Sequence, residues 1–202
     1  MDEKQAIAQL KRHNPDGLET LVYQYQVQAV RTASLIVGDR AQAEDIVQAA
    51  FIRAGERIDQ FDDQRPFGPW FMRSVVHDAL KALGRQKRFT SLEASEETGT
   101  LDLFDPTPLP EETVETREIR QAVWQALESL PPKQRAAVVM RYYLGMHEDE
   151  IAQAMNGATG SVKWWLYMAR QRLKKLLAPL QPVVKNSEEP PKVHVPESGD
   201  QR

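Results

Sequence analysis

Along most of this chain, apolar residues recur at intervals of three and four, the period of a helix that packs along one face. Leu18, Leu21, Val22, Tyr25, Ala29, Ala33 and Ile36 trace one such stripe, which stops at Gly38. Ile46, Val47, Ala50, Phe51, Ala54 and Ile58 trace a second. Met72, Val75, Val76, Ala79, Leu80 and Leu83 trace a third, ending near Gly84. Further on, Ile119, Val123, Ala126, Leu127 and Leu130 form a fourth, broken by Pro131-Pro132, because proline removes a helix donor and clashes with the preceding turn. Lys133 to Leu144 predicts a fifth helix, closed by Gly145. No stretch alternates at period two, so the pattern predicts an all-α fold.

Between the third and fourth stripes the pattern lapses. From Phe89 to Glu115 there is no Lys or Arg, while Glu93, Glu96, Glu97, Asp102, Asp105, Glu111, Glu112 and Glu115 are present, with Gly99, Pro106, Pro108 and Pro110. This reads as an acidic, flexible linker between two small helical domains. Beyond Leu177 the prolines 179, 182, 190, 191 and 196 and scattered charge predict a disordered tail. The expected division is a helical domain over 1–90, a linker over 91–115, a second helical domain over 116–178 and a tail over 179–202.

Composition narrows the classes. The 202 residues are 41% hydrophobic and 27% charged, as in an ordinary soluble globular protein. Without cysteine, neither a disulfide framework nor a thiolate metal site forms. No apolar run approaches the ~20 residues that span a bilayer, and Met1-Asp2-Glu3-Lys4 lacks a signal peptide's apolar core. A cytoplasmic address without membrane insertion is the expectation. A net charge of −3 ordinarily argues against nucleic acid, but here the charge is segregated into blocks, with Lys81, Arg85, Lys87 and Arg88 forming a basic cluster.

The stretch Glu148 to Met155, then Asn156-Gly157-Ala158-Thr159-Gly160, then Ser161 onward has the layout of a helix-turn-helix, making the C-terminal domain a candidate DNA reader. Val162, Leu166, Ala169 and Leu173 face inward by their spacing, which leaves Ser161, Lys163, Trp164, Tyr167 and Met168 outward. Arg170, Arg172, Lys174 and Lys175 follow with no acid from Ser161 to Leu177, which suits phosphate contact. Taken alone, the segment fits a surface helical hairpin with a solvated basic end equally well.

Between Phe61 and Arg88, aromatics interleave with cations. Single-stranded nucleic acid needs such a mixture: rings stack on unpaired bases at ~1–3 kcal/mol each, while Arg and Lys follow the phosphates. Phe61 and Phe71 fit a core position as readily. An enzyme reading finds little: His13, His77, His147 and His194 are dispersed, the glycines at 157 and 160 form no phosphate loop, and neither a metal nor a cofactor is expected.

Three further blocks carry a resemblance. Gly38 to Phe51 resembles the polymerase-docking helix of the compact, extracytoplasmic-function sigma factors of bacterial RNA polymerase. Arg65-Pro66-Phe67-Gly68-Pro69-Trp70-Phe71 resembles their promoter-melting segment. Leu130-Pro131-Pro132-Lys133-Gln134-Arg135-Ala136 through Arg141 to Gly145 resembles the lead-in to their C-terminal DNA reader. The resemblance covers about residues 10–178 and implies core RNA polymerase and promoter DNA as partners; it also admits an anti-sigma factor.

It implies polymerase contact at Asp45, Gln48 and Arg53. Capture of the unpaired −10 strand would fall to Phe61, Arg65, Phe67, Trp70, Arg73, His77, Lys81, Arg85, Lys87 and Arg88. Reading of the duplex −35 element would fall to Ser161, Lys163, Trp164, Trp165, Tyr167, Met168, Arg170 and Arg172. The linker would run through the polymerase's RNA exit channel. The chain departs from the family pattern at Gln42 and Ala49-Ala50, at His77 and Lys81 where Asn and Asp are usual, and at Trp165 and Met168 where Arg is common. His147 stands where Ser or Thr would cap a helix. Losing a bidentate Arg–guanine contact forfeits ~1–3 kcal/mol of discrimination, so an A·T-rich or loosely read −35 element is expected. Two other readings stay open here: a regulator whose helix-turn-helix works without polymerase, and a sigma-like interaction protein that uses Trp164-Trp165 as a protein interface.

Overall fold

A computed structural model describes residues 1–90 and 114–180. Helix α1 (Glu3–Lys11) begins on a reciprocal cap: Asp2 accepts from the Gln5 backbone N–H at 2.8 Å, and Gln5 Oε1 accepts from the Asp2 N–H at 3.3 Å. The apolar stripes in the sequence did not include this helix, although Ala6, Ile7 and Leu10 bury one face of it. Helix α2 (Asp16–Val37) ends at Gly38, whose φ of 85° needs a residue without Cβ. Helix α3 (Arg40–Glu56) is capped by Asp39, which accepts from the Gln42 N–H at 2.9 Å. One 3-10 turn (Ile58–Gln60) leads towards α4 (Phe67–Thr90).

Helix α4 runs through Gly84 rather than ending near it. A glycine inside a helix costs only ~1 kcal/mol relative to Ala, which the flanking turns sustain. The core of this half is aromatic. Phe51 stacks on Phe71 at 4.3 Å, Phe71 lies parallel to Phe67 at 5.7 Å, and Phe61 meets Phe67 edge-on at 5.6 Å. Each such pair adds ~0.5–1.5 kcal/mol beyond its area burial.

The C-terminal half comprises α5 (Val114–Glu128), α6 (Pro132–Val138), α7 (Glu148–Ala154) and α8 (Thr159–Leu176), then a 3-10 turn (Ala178–Leu180). The expected helix over Lys133–Leu144 is regular only to Val138. From Val139 to Tyr143 it widens into a π turn, closed by the Leu144 N–H on the Val139 carbonyl at 3.1 Å. Ala136, Ala137, Ala152 and Ala169 let α6, α7 and α8 approach closely around Met140, Ile151, Val162 and Leu166. Among the described residues there is no strand, and no helix is long and apolar enough to cross a membrane. Most of the acidic linker and the tail beyond Leu180 lie outside the described residues.

The two halves share one continuous buried core, because α6 packs on both α2 and α4. The seam is fastened by Arg135, whose guanidinium donates to the Ile36 carbonyl at 3.0 Å from one nitrogen and to the Glu128 carbonyl at 2.5 Å from another. Burial pulls this guanidinium below its ordinary range, partly opposed by Glu128.

Candidate nucleic-acid interface

Helix α4 presents its basic residues as a row. Arg73, His77, Lys81 and Arg85 stand four residues apart and all are exposed. At 1.5 Å per residue they follow one another at ~6 Å steps, winding ~40° each time round the helix. The opposite face holds Phe71, Met72, Val75, Val76 and Ala79 in the core, so packing fixes which side the row occupies. Lys87 and Arg88 lie on the last turn of the same helix, and their side chains are outside the described residues. Arg65 is exposed just before the helix and pairs with Asp62 at 3.4 Å.

The aromatic residues separate. Trp70 is half-buried at the head of the row, with its ring 5.1 Å from Phe61 and 5.4 Å from Phe67. Phe61 and Phe67 are 3% and 0% exposed. The expectation that these two rings stack on unpaired bases is corrected: their faces are already covered by other rings, and they support Trp70 from beneath. Lys11 steadies the approach to α4 by donating to the Phe61 carbonyl at 2.9 Å and pairing with Asp63 at 2.8 Å.

On α3, Asp45 and Gln48 are exposed. The Arg53 side chain is a third exposed, and its guanidinium pairs with Asp78 on α4, a partner 25 positions away that no local spacing indicates. Asp78 also lies 3.8 Å from the His77 ring.

In the C-terminal half the helix-turn-helix forms as expected. Helix α7 starts with the His147 N–H donating to the Glu150 carboxylate at 2.6 Å. It ends on Asn156 at φ 48°, with the Gly157 N–H donating to the Ala152 carbonyl at 2.9 Å and the Asn156 N–H to the Gln153 carbonyl at 3.3 Å. This pair of bonds is the left-handed closure that lets a helix stop sharply, with Asn in the usual place of Gly. Helix α8 then buries Val162, Leu166 and Ala169 and exposes Ser161, Lys163, Trp164, Tyr167, Arg170 and Arg172. Met168 is half-buried. Trp165 is half-buried as well. It leans over Gly157, and the Lys133 ammonium sits 5.4 Å from its ring, so part of this residue serves the packing of the reader itself.

Between the halves lies a cleft of about 280 Å³. Arg57, Trp70, Arg73 and His77 form one wall and Ala154 with Asn156 part of the other; Arg73 donates to Asn156 Oδ1 at 3.2 Å. Arg57 and Asn156 carried no signal in the sequence beyond a helix end and a turn. Among the described residues, no three of His, Asp or Glu converge as a metal site would require.

Residues 21–89 match the family model for Sigma-70 region 2, and residues 120–173 match that for Sigma-70, region 4. The chain is 31% identical over 183 residues to the ECF RNA polymerase sigma factor SigW of Bacillus subtilis, covering 88% of this chain and 97% of that one. It is 29% identical over 181 residues to the ECF RNA polymerase sigma-E factor of Escherichia coli, covering 86% and 93%. The fold is similar to that of the sigma factor RpoE of Bartonella quintana, solved with the anti-sigma factor NepR (TM-score 0.63, 18% identity, 79% of this chain and 96% of that one). It is also similar to CnrH, solved with the cytosolic domain of CnrY (TM-score 0.61, 22% identity, 88% and 97%). With region 2 carrying the aromatic and cationic row, region 4 carrying the helix-turn-helix, and full-length relatives aligned across both, this chain belongs to the extracytoplasmic-function (ECF) sigma factors of bacterial RNA polymerase.

Proposed function

We propose that this chain directs core RNA polymerase to particular promoters and helps open them, by binding rather than by catalysis. A segment over 1–90 docks on polymerase through the exposed Asp45 and Gln48 of α3. It holds the unpaired −10 strand along Trp70, Arg73, His77, Lys81 and Arg85, with Arg65, Lys87 and Arg88 adding charge at the two ends. A segment over 116–178 lays the start of α8 in the major groove, where Ser161, Lys163, Trp164 and Tyr167 meet base edges while Arg170 and Arg172 meet phosphates. Residues 91–115 tether the two. A cytoplasmic location goes with this role, and an anti-sigma factor is the natural further partner, as it is in the solved complex of RpoE with NepR.

The observation that carries the reading is the pairing of two different surfaces on one chain. A row of cations headed by a tryptophan suits an unpaired strand, and a helix with outward Trp164 and Tyr167 suits a groove. An exposed tryptophan can pack on thymine methyls and lacks the bidentate fork with which arginine holds guanine, which fits an A·T-rich −35 element. The test is transcription by core polymerase with and without this chain, on templates taken from genomic sites that the two occupy together. Initiation at a defined start that depends on the chain is expected. Failure of core polymerase to retain the chain at physiological salt would leave the regulator reading standing instead.

A further inference from the structure

Helices α3 and α4 meet over an apolar seam in which Phe51 stacks on Phe71 at 4.3 Å. Apolar burial is non-directional and sets the register of two helices loosely by itself. A directional contact is added beside it: the Arg53 guanidinium on α3 donates to Asp78 Oδ2 on α4. The two side chains are 33% and 24% exposed, so water and salt screen the pair only in part.

The other oxygen of the same carboxylate faces the row. Asp78 Oδ1 lies 3.8 Å from Nδ1 of His77, which is 57% exposed and stands between Arg73 and Lys81. One side chain therefore touches both a residue of α3, the helix that carries Asp45 and Gln48, and a ring of the strand-capture row. A carboxylate set within a basic row opposes phosphate, so its own charge does not serve contact with DNA. Its two neighbours, Arg53 and His77, are where its effect lies.

We infer that Asp78 is a positioning residue for strand capture: anchored by Arg53, its carboxylate sets the orientation in which the His77 ring meets a base of the −10 element. This rests on the sigma factor reading above. A ring held in one orientation by its neighbours discriminates between base edges, and one that turns freely discriminates less. The anchor supplies the fixity, since an aspartate without Arg53 would turn along with the ring. Arg53 thus acts on the −10 element without touching it, and α3 shares in the choice of promoter sequence.

The test measures initiation by core polymerase with the full chain on promoters that carry each base in turn at every −10 position. Preference is a ratio within one variant, so changes in core affinity or in overall charge cancel. Asp78→Ala should flatten the preference at one position roughly fivefold, within the range of coupling between side chains in contact. Arg53→Met, which keeps the stem and removes the donors, should flatten the same position. In a His77→Ala background neither change should alter preference further. A loss that is equal on all −10 sequences, or an effect that persists without His77, overturns the positioning role. In the free protein, the imidazole resonances that His77→Ala removes should shift in Arg53→Met; resonances that stay in place overturn the anchor. If core polymerase with the unaltered chain initiates nowhere, the sigma factor reading fails, while those resonances still decide whether Arg53 sets the ring.

Discussion

Phe67 and Trp70 lie almost one turn apart on α4 and differ in burial. Phe67 is sealed among Tyr25, Phe61, Trp70 and Phe71, so Phe67→Ala should destabilise the protein by about 3–5 kcal/mol, measured by denaturant unfolding. Trp70 keeps part of its ring in solvent at the head of the cation row. Trp70→Ala should slow promoter melting roughly 5- to 150-fold, the effect of removing one stacking partner, with much less change in binding to duplex DNA. Equal loss of both would remove the strand-capture role. Residue type did not separate these rings. Both are large, apolar and on one helix, and only the identity of the covering side chains tells a support from a contact.

Tyr25 carries a pH dependence. Its hydroxyl donates to the Glu3 carboxylate, tying α2 to α1. Burial first, then that bond and the charge of Glu3, raise its pKa well above the ordinary value of about 10. A phenol raised on folding contributes stability that is complete below its unfolded pKa and declines as pH climbs past it. The unfolding midpoint should therefore carry no slope from this residue up to about pH 10 and fall beyond. In Tyr25→Phe that alkaline fall should be shallower.

At the scale of elements, helix α1 shows how a short helix depends on its dock. A Cβ on Gly17 would stand 2.8 Å from the Leu10 backbone nitrogen and closer still to the Ala6 carbonyl, and backbone does not give way as a flexible side chain does. Gly17→Ala should cost about 1–3 kcal/mol and speed amide exchange across Ala6 to Leu10. Because Lys11 reaches from α1 to the Phe61 carbonyl, the same change should loosen the entry to α4. The longer helices were legible from their apolar period, and α1 was not, since its nine residues hold only a brief apolar face. The run of α4 through Gly84 and the widening at Val139–Tyr143 escaped as well. Glycine and proline mark where a helix is weak, whereas the neighbouring helices settle whether it stops.

Across the whole molecule, a net charge of −3 conceals two cationic faces, and DNA affinity should follow the faces. Arg170 and Arg172 are exposed on α8. Replacing both with Gln should lower the slope of log affinity against log salt by roughly 2, one released counterion for each phosphate no longer neutralised. The weakening should be similar on every duplex sequence, whereas Trp164→Ala should change which −35 sequences are preferred. A titration in which both variants behave alike would show that α8 does not divide its work between bases and phosphates.

The chain's own pattern was enough for the all-α architecture, the order of the long helices, the inward face of α8 and the blocks that mark the family, because helical period and turn chemistry are local. Burial of Phe61 and Phe67, capture of Arg53 by Asp78, the bond from Arg73 to Asn156 and the reach of Arg135 to Ile36 came only with the assembled fold. Those pairs lie 25, 83 and 99 positions apart along the chain. Periodicity says which side of a helix turns inward; which partner waits there is set by how separate helices pack, and no local spacing encodes that.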